Sequence, residues 1–260
     1  MVPSFVRSEL NDGVAILRLN RPEKLNALSG EMIRELSDKL KQLEGDEALR
    51  VVILTAEGDQ AFCAGTDISE LADLTEANAI KVSERGQQLC GQIESFGVPV
   101  IAAINGLAAG GGCELALACH LRVASSSATF SLPESKLGLI SAYGGTQRLP
   151  REVGEGRALE IMLTGKTVTA EEAFDLGLVN RLATSANLLT EAQSLANEIA
   201  QLAPLAIRAC LQAVKRGLEL PLEKGLELEA ELFAPLFATD DVREGTTAFL
   251  EKRSPKFKGR

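Results

Sequence analysis

Four short apolar runs, separated by segments of helical spacing, restrict what this chain can become. Residues 13–19 (GVAILRL), 51–55 (VVILT), 98–104 (VPVIAAI) and 121–124 (LRVA) read as strands. Val51, Val52, Ile53 and Leu54 are apolar on both faces, as expected of a strand covered on both sides. Between the first two runs, Met32, Ile33, Leu36, Leu40 and Leu43 recur at helical spacing, predicting a helix over 30–44. Ser29 is its N-cap and Gly45 its C′ stop. A second helix is predicted over 76–96, with Ile80, Leu89, Ile93 and Phe96 on the buried side. Alternating elements with short connections indicate an α/β fold.

The C-terminal part differs in kind. From about 188 onward only helices are predicted: 188–203, stopped by Pro204, then 205–216, 222–237 and 241–252. Before them, Thr169 and Glu172 form a capping box, and Gly177 ends that helix. The organisation is therefore a core over 1–187 that carries the active site and a helical region over 188–260. Short helices without strands bury little alone, so that region is expected to pack on the core or on another subunit.

The 260 residues are 45% hydrophobic and 24% charged, enough to bury a full core without staples. No run approaches the roughly 18–20 apolar residues of a membrane helix, and MVPSFVRSEL lacks signal-peptide architecture; a cytoplasmic protein with no membrane partner is expected. The net charge of −9 argues against nucleic-acid binding. The segment from Lys252 to the end is locally basic, and reads either as a phosphate clamp or as a frayed, solvated terminus. Five cysteines without a CxxC favour reduced, mostly buried thiols over disulfides or zinc. The single histidine excludes a multi-His metal centre, and HExxH, GxSxG and P-loop motifs are absent.

Three segments depart from core logic. Residues 61–68 (AFCAGTDI) follow a strand and end in small residues that let backbone approach a ligand, though an ordinary glycine turn would look the same. Residues 105–114 (NGLAAGGGCE) place three glycines between a buried strand and a helix rich in Leu and Ala. Unpaired N–H donors at that positive helix end suit an anion. Neither GxGxxG spacing nor a Lys-Ser/Thr after the glycines is present, which leaves a hole for a smaller developing anion, such as a thioester enolate oxygen. Glu114, in the first turn of this helix, reads on helix statistics alone as a dipole partner. Glu134 follows a short strand, in a stretch punctuated by Pro133, Gly138, Gly144 and Gly145, where an acid taken alone reads as merely solvated. Jointly, two N–H-rich turns and two nearby carboxylates are far less expected by chance.

As a set these residues resemble the crotonase superfamily, and enoyl-CoA hydratases within it. The likeness runs end to end: Asn20-Arg21-Pro22 with Leu25-Asn26-Ala27-Leu28, the 62–68 turn, Ile104-Asn105-Gly106 through Glu114, Pro133-Glu134, Gly144-Gly145-Thr146-Gln147-Arg148-Leu149, Leu163-Thr164-Gly165 and Ala248-Phe249-Leu250-Glu251-Lys252-Arg253. The resemblance implies a spiral of ββα turns with a helical C-terminal region used in homotrimers, or hexamers made of two trimers. It places an oxyanion hole at the N–H groups of Thr66 and Gly111 and the catalytic pair at Glu114 and Glu134. Coenzyme A contacts fall to Lys24, Leu25 and Ala27, to Ala64, Asp67 and Ile68, and to Phe249 and Lys256. No cofactor is implied beyond the coenzyme A that is part of the acyl-CoA substrate.

Having both glutamates favours hydration of a 2-enoyl thioester. The alternatives are a Δ3,Δ2-enoyl-CoA isomerase, a hydratase for a branched chain, or a catalytically silent acyl-CoA binder. The sequence departs from the family pattern where Ser141-Ala142-Tyr143 replaces the frequent Pro-Gly before the Gly-Gly-Thr-Gln-Arg run, a change that bears on the substrate more than on the reaction. His120 stands where the family often has Asp and reads as structural. Thr66 replaces a smaller residue, but its N–H is unaffected by that change.

Overall fold

The computed structural model describes residues 4–72 and 74–260. An antiparallel pair, β1 (Val6–Asn11) and β2 (Val14–Leu19), precedes helix α1 (Gly30–Glu44). Three similar turns follow. The first is β3 (Val51–Ala56), β4 (Ala61–Cys63), α2 (Ile68–Leu71) and α3 (Glu76–Glu94). The second is β5 (Val100–Ile104), β6 (Leu107–Ala109) and α4 (Gly111–Ala118). The third is β7 (Leu121–Ser125), β8 (Thr129–Ser131), a 3-10 turn at Glu134–Leu137, α5 (Gly145–Val153) and α6 (Glu155–Thr164). The chain then adds β9 (Val168–Thr169), α7 (Ala170–Asp175) and β10 (Arg181–Ala183). Helices α8 (Leu188–Ala200), α9 (Pro204–Gly217), α10 (Leu222–Phe233) and α11 (Asp240–Glu251) complete it.

In each of the three turns the first strand joins one sheet and the second strand joins the other. The six-stranded sheet runs β1-β2-β3-β5-β7-β10 and the four-stranded sheet β4-β6-β8-β9. This is the expected spiral of ββα turns with a helical C-terminal region. Its consequence for function is positional: β4 and β6 pair in parallel, so the turns that follow them, leading to α2 and α4, lie side by side.

Burial explains the strand patterns. One face of the large sheet packs with α1, α3 and α4 through Leu17, Leu36, Leu54 and Ile93, and the other packs under α8 through Ile53, Ile101, Val123, Ala192 and Ala196. Both faces being covered, every residue of β3 is buried. Helix α8 is thus a layer of the core, whereas α9 and α10 pack chiefly on each other. No helix among the described residues is long and apolar enough to cross a membrane.

Local signals mostly act as predicted. The Ser29 hydroxyl accepts from Met32 N–H at 3.2 Å, and the Thr169/Glu172 capping box is formed in full. Four differences have physical reasons. Ile80 is 62% exposed, because the first turns of α3 project beyond the core that Leu89 and Ile93 enter. Gly45 ends α1 with φ −81°, so it stops the helix without a left-handed turn. Helix α10 stops at Phe233, and Pro235 lies in a tighter 3-10 turn at Ala234–Ala238. The basic tail is tied down rather than frayed. The buried Asp241 carboxylate accepts the N–H groups of Lys258 (2.6 Å) and Gly259 (2.8 Å), while Arg253 pairs with Glu244 at 2.7 Å.

Candidate active site

The site is built where the turn after β4 meets the start of α4. Thr66 forms an isolated parallel bridge with Leu28: Leu28 N–H donates to Gly65 O (2.7 Å) and Asp67 N–H to Leu28 O (3.0 Å). Both bonds engage residues that flank Thr66, so its own N–H faces the opposite way. Gly111 opens α4, where the first N–H groups have no intrahelical partner. Among the described residues neither N–H has a hydrogen-bond acceptor.

Glycine is what lets these two amides approach. Gly65 has φ +99° and Gly110 φ +49°, backbone states that other residues rarely adopt. A Cβ on Gly65 would stand 2.9 Å from the Ala109 carbonyl and 3.3 Å from the Gly111 nitrogen. A Cβ on Gly112 would run into the Cys63 carbonyl.

Glu114 lies three residues beyond Gly111 and is 2% exposed. Its Oε1 accepts two N–H groups, from Tyr143 at 2.7 Å and Gly145 at 2.6 Å. Burial raises its pKa to about 7, against the lowering effect of those N–H groups and with a further rise from the nearby Glu134 charge. Glu134 is half-buried, and burial raises its pKa as well. Its Oε2 accepts the Ser141 hydroxyl at 3.0 Å, and its Oε1 lies 3.0 Å from where a Cβ on Gly110 would sit. The Ser141–Gly145 stretch therefore touches both carboxyls, and the Glu134 carboxyl also stands beside Gly110.

A second group supports the turn after β4. Ala64 N–H donates to Leu25 O (3.0 Å), and the Arg21 guanidinium pairs with Asp67 at 2.7 Å. With its hydrogen bonds from Ser69 and Arg21, the Asp67 carboxyl sits well below the usual range, at about 2. The structure thus gathers Lys24, Leu25, Ala27, Ala64, Asp67 and Ile68 along one seam. Phe249 (83% exposed) and Lys256 stand apart on α11 and the tail, and among the described residues no hydrogen bond joins them to that seam.

Asn26, inside the Leu25-Asn26-Ala27-Leu28 motif, supports the seam in a way that no local sequence signal singles out. It is buried with φ +55°; its Oδ1 accepts Arg21 N–H (2.9 Å), and its Nδ2 donates to the Glu57 (3.0 Å) and Ala61 (2.9 Å) carbonyls. Asn26→Ala strands these partners and is expected to destabilise the chain by roughly 1–3 kcal/mol in denaturant unfolding. An unchanged midpoint would remove the seam role given to it. Arg148, within the Gly-Gly-Thr-Gln-Arg-Leu run, holds the Tyr143 carbonyl at 2.9 Å while pairing with Glu94 at 2.8 Å. His120 is structural: its Nδ1 accepts the Val100 N–H at 2.9 Å, and burial lowers its pKa to about 4. Cys63, Cys90, Cys113 and Cys119 are free and buried; Cys210 is free and exposed.

Known proteins match this chain along its whole length. A family model described as enoyl-CoA hydratase/isomerase matches residues 9–260. A crotonyl-CoA hydratase of Syntrophomonas wolfei subsp. wolfei is 41% identical over 96% of both chains. An (E)-benzylidenesuccinyl-CoA hydratase of Thauera aromatica is 40% identical over 98% of this chain and 99% of its own. The crystal structure of an enoyl-CoA hydratase from Bacillus anthracis superposes with a TM-score of 0.96 at 39% identity, over 98% of this chain and all of the other.

Proposed function

The chain belongs to the enoyl-CoA hydratase/isomerase family, enzymes with hydro-lyase activity on enoyl-CoA thioesters, and from that premise we propose that it adds water across the double bond of a 2-enoyl-CoA to give a 3-hydroxyacyl-CoA. The observation that carries this reading is the convergence of two carboxyls, Glu114 and Glu134, on the Ser141–Gly145 stretch, with Glu134 also beside Gly110, next to the free Gly111 amide that is paired with that of Thr66. The thioester carbonyl accepts from those two amides. Glu114, ionised, takes a proton from water as its oxygen bonds to C3; the π electrons move toward the thioester oxygen, where the amides meet the enolate charge. Glu134, protonated, delivers its proton to C2. The two carboxyls end with exchanged protonation states, and proton exchange through solvent restores them.

The same premise supports coenzyme A along the Lys24–Ile68 seam and assembly as a homotrimer or hexamer. Exposed apolar side chains on the C-terminal helices, among them Leu218, Leu222, Phe233 and Phe249, are available for that contact. For an isomerase, one carboxyl moving a proton between C2 and C4 would suffice; the second carboxyl, with a pKa raised by burial, favours hydration.

The test is loss of conjugated-thioester absorbance with crotonyl-CoA, run beside a 3-enoyl-CoA. Hydration of the first, outpacing conversion of the second, is the expected result. A pH profile sharpens it. Glu114 must be ionised to accept the proton, and burial places its pKa near 7. kcat/KM is therefore expected to fall about tenfold per pH unit below about 7. A plateau reaching down to pH 5 would remove Glu114 from the base role.

A further inference from the structure

We infer that Tyr143 sets the size of the acyl group, its ring forming a fixed wall beside the reacting carbons that confines the enzyme to short, unbranched 2-enoyl thioesters. The inference rests on the hydratase reading and extends it to a substrate class. Relatives about equally similar to this chain carry names as different as crotonyl-CoA and benzylidenesuccinyl-CoA hydratase, so overall likeness does not choose the acyl group. Individual side chains must.

Tyr143 touches three parts of the candidate site at once. Its N–H donates to Glu114 Oε1. Its hydroxyl is hydrogen-bonded to the Thr66 hydroxyl at 2.9 Å. Its ring edge lies 3.0 Å from where a Cβ on Gly111 would sit, a position also 3.3 Å from Thr66 Oγ1. A thioester carbonyl on the Thr66 and Gly111 amides, with C3 beside Glu114, therefore sends its acyl chain against this ring.

The wall is fixed. The side chain is 3% exposed. Behind it lies Gly86 of α3, where any Cβ would collide with the ring, so the glycine provides the slot that the ring fills. The preceding carbonyl, that of Ala142, is held to α3 by the Ser83 hydroxyl (2.7 Å) and Gln87 Nε2 (3.0 Å), and the Tyr143 carbonyl by Arg148. A ring packed between two backbones and tied at both ends has no open side to swing into. Removing it should open a channel between α3 and α4.

The experiment compares crotonyl-CoA with trans-2-decenoyl-CoA in turnover, and butanoyl-CoA with decanoyl-CoA in binding, where no chemistry intervenes. A single misfitting methylene discriminates about 10- to 200-fold. The native enzyme should therefore favour the short thioester by about 100-fold or more in kcat/KM. Tyr143→Ala should bring that ratio within about tenfold, with a matching gain in decanoyl-CoA affinity. Tyr143→Phe keeps the wall and should keep the native ratio. Native protein that binds decanoyl-CoA as tightly as butanoyl-CoA overturns the inference, as does a folded Tyr143→Ala variant with the native ratio. Should that variant not fold, Tyr143→Leu and the native length profile decide. Strong length discrimination in binding, with neither enoyl thioester hydrated, would instead count against the hydratase reading and leave the wall in place.

Discussion

Replacing Glu114 with Gln is expected to lower crotonyl-CoA hydration by about 10²- to 10⁴-fold while making the folded protein more stable at pH 8. The two effects share one cause. Gln keeps the shape and an Oε1 acceptor for the Tyr143 and Gly145 N–H groups, so the Ser141–Gly145 stretch stays in place. It cannot take a proton from water, and that is the whole of the lost activity. In the native protein the folded pKa of Glu114, about 7, lies above its ordinary value of 4.5. The folded state then holds the proton more tightly than the unfolded chain. Stability falls as pH rises from about 4.5 to about 7 and stays lower above that. Glu114→Gln lacks this cost. Its melting temperature should exceed that of the native protein at pH 8, and the gap should shrink as the pH falls toward 4.5.

Glu134→Gln should lose a comparable factor in rate with a smaller stability change, since Glu134 is less buried. Rates and melting curves on both variants at two pH values separate catalysis from folding. If Glu114→Gln turns over within threefold of the native rate, its role in accepting the proton is lost. If it is less stable than the native protein at pH 8, the buried charge is not the source of the strain.

Gly112→Ala is the second large effect. A methyl at this position meets the Cys63 carbonyl, a backbone atom that cannot rotate away, so β4 and α4 must part. Overpacking of this kind costs roughly 1–3 kcal/mol. The functional loss is the more telling one, because α4 carries the Gly111 amide and β4 leads into Thr66. Parting them separates the two amides proposed to hold the enolate oxygen, and losing one such donor typically costs about 10²–10³ in kcat. The expected signature is kcat reduced by that factor with KM for crotonyl-CoA changed far less. Gly156→Ala is the control: it lies within α6 with nothing within 4 Å of its would-be Cβ. It should leave kcat unchanged and stability equal or raised by about 0.5–1 kcal/mol. A Gly112→Ala enzyme with native kcat would show that the amide spacing does not matter.

Much of the fold was legible because its causes are local. Apolar runs at 51–55 and 98–104, the Ser29 cap and the Thr169/Glu172 box each specify a conformation within a few residues. β1 escaped because it is an edge strand with five of its six residues exposed, so its polar sequence, VRSELN, reads as loop. β4 and β6 escaped because strands of three residues built from Ala, Phe, Cys and Leu carry too little periodicity to separate from turns.

For the site, the sequence alone determined which chemical groups are present: glycines free to take positive φ at 65 and 110, carboxyls at 114 and 134, and an altered stretch at 141–143. Where they stand relative to one another was decided by tertiary structure. Thr66 and Gly111 come from different turns of the spiral and meet only because β4 and β6 pair in parallel. The protonation of Glu114 is set by burial against a loop some thirty residues away, and the Tyr143 ring finds its slot at Gly86, across more than fifty residues of chain. Burial and close packing depend on what surrounds an atom in space, and no local pattern in the chain encodes that.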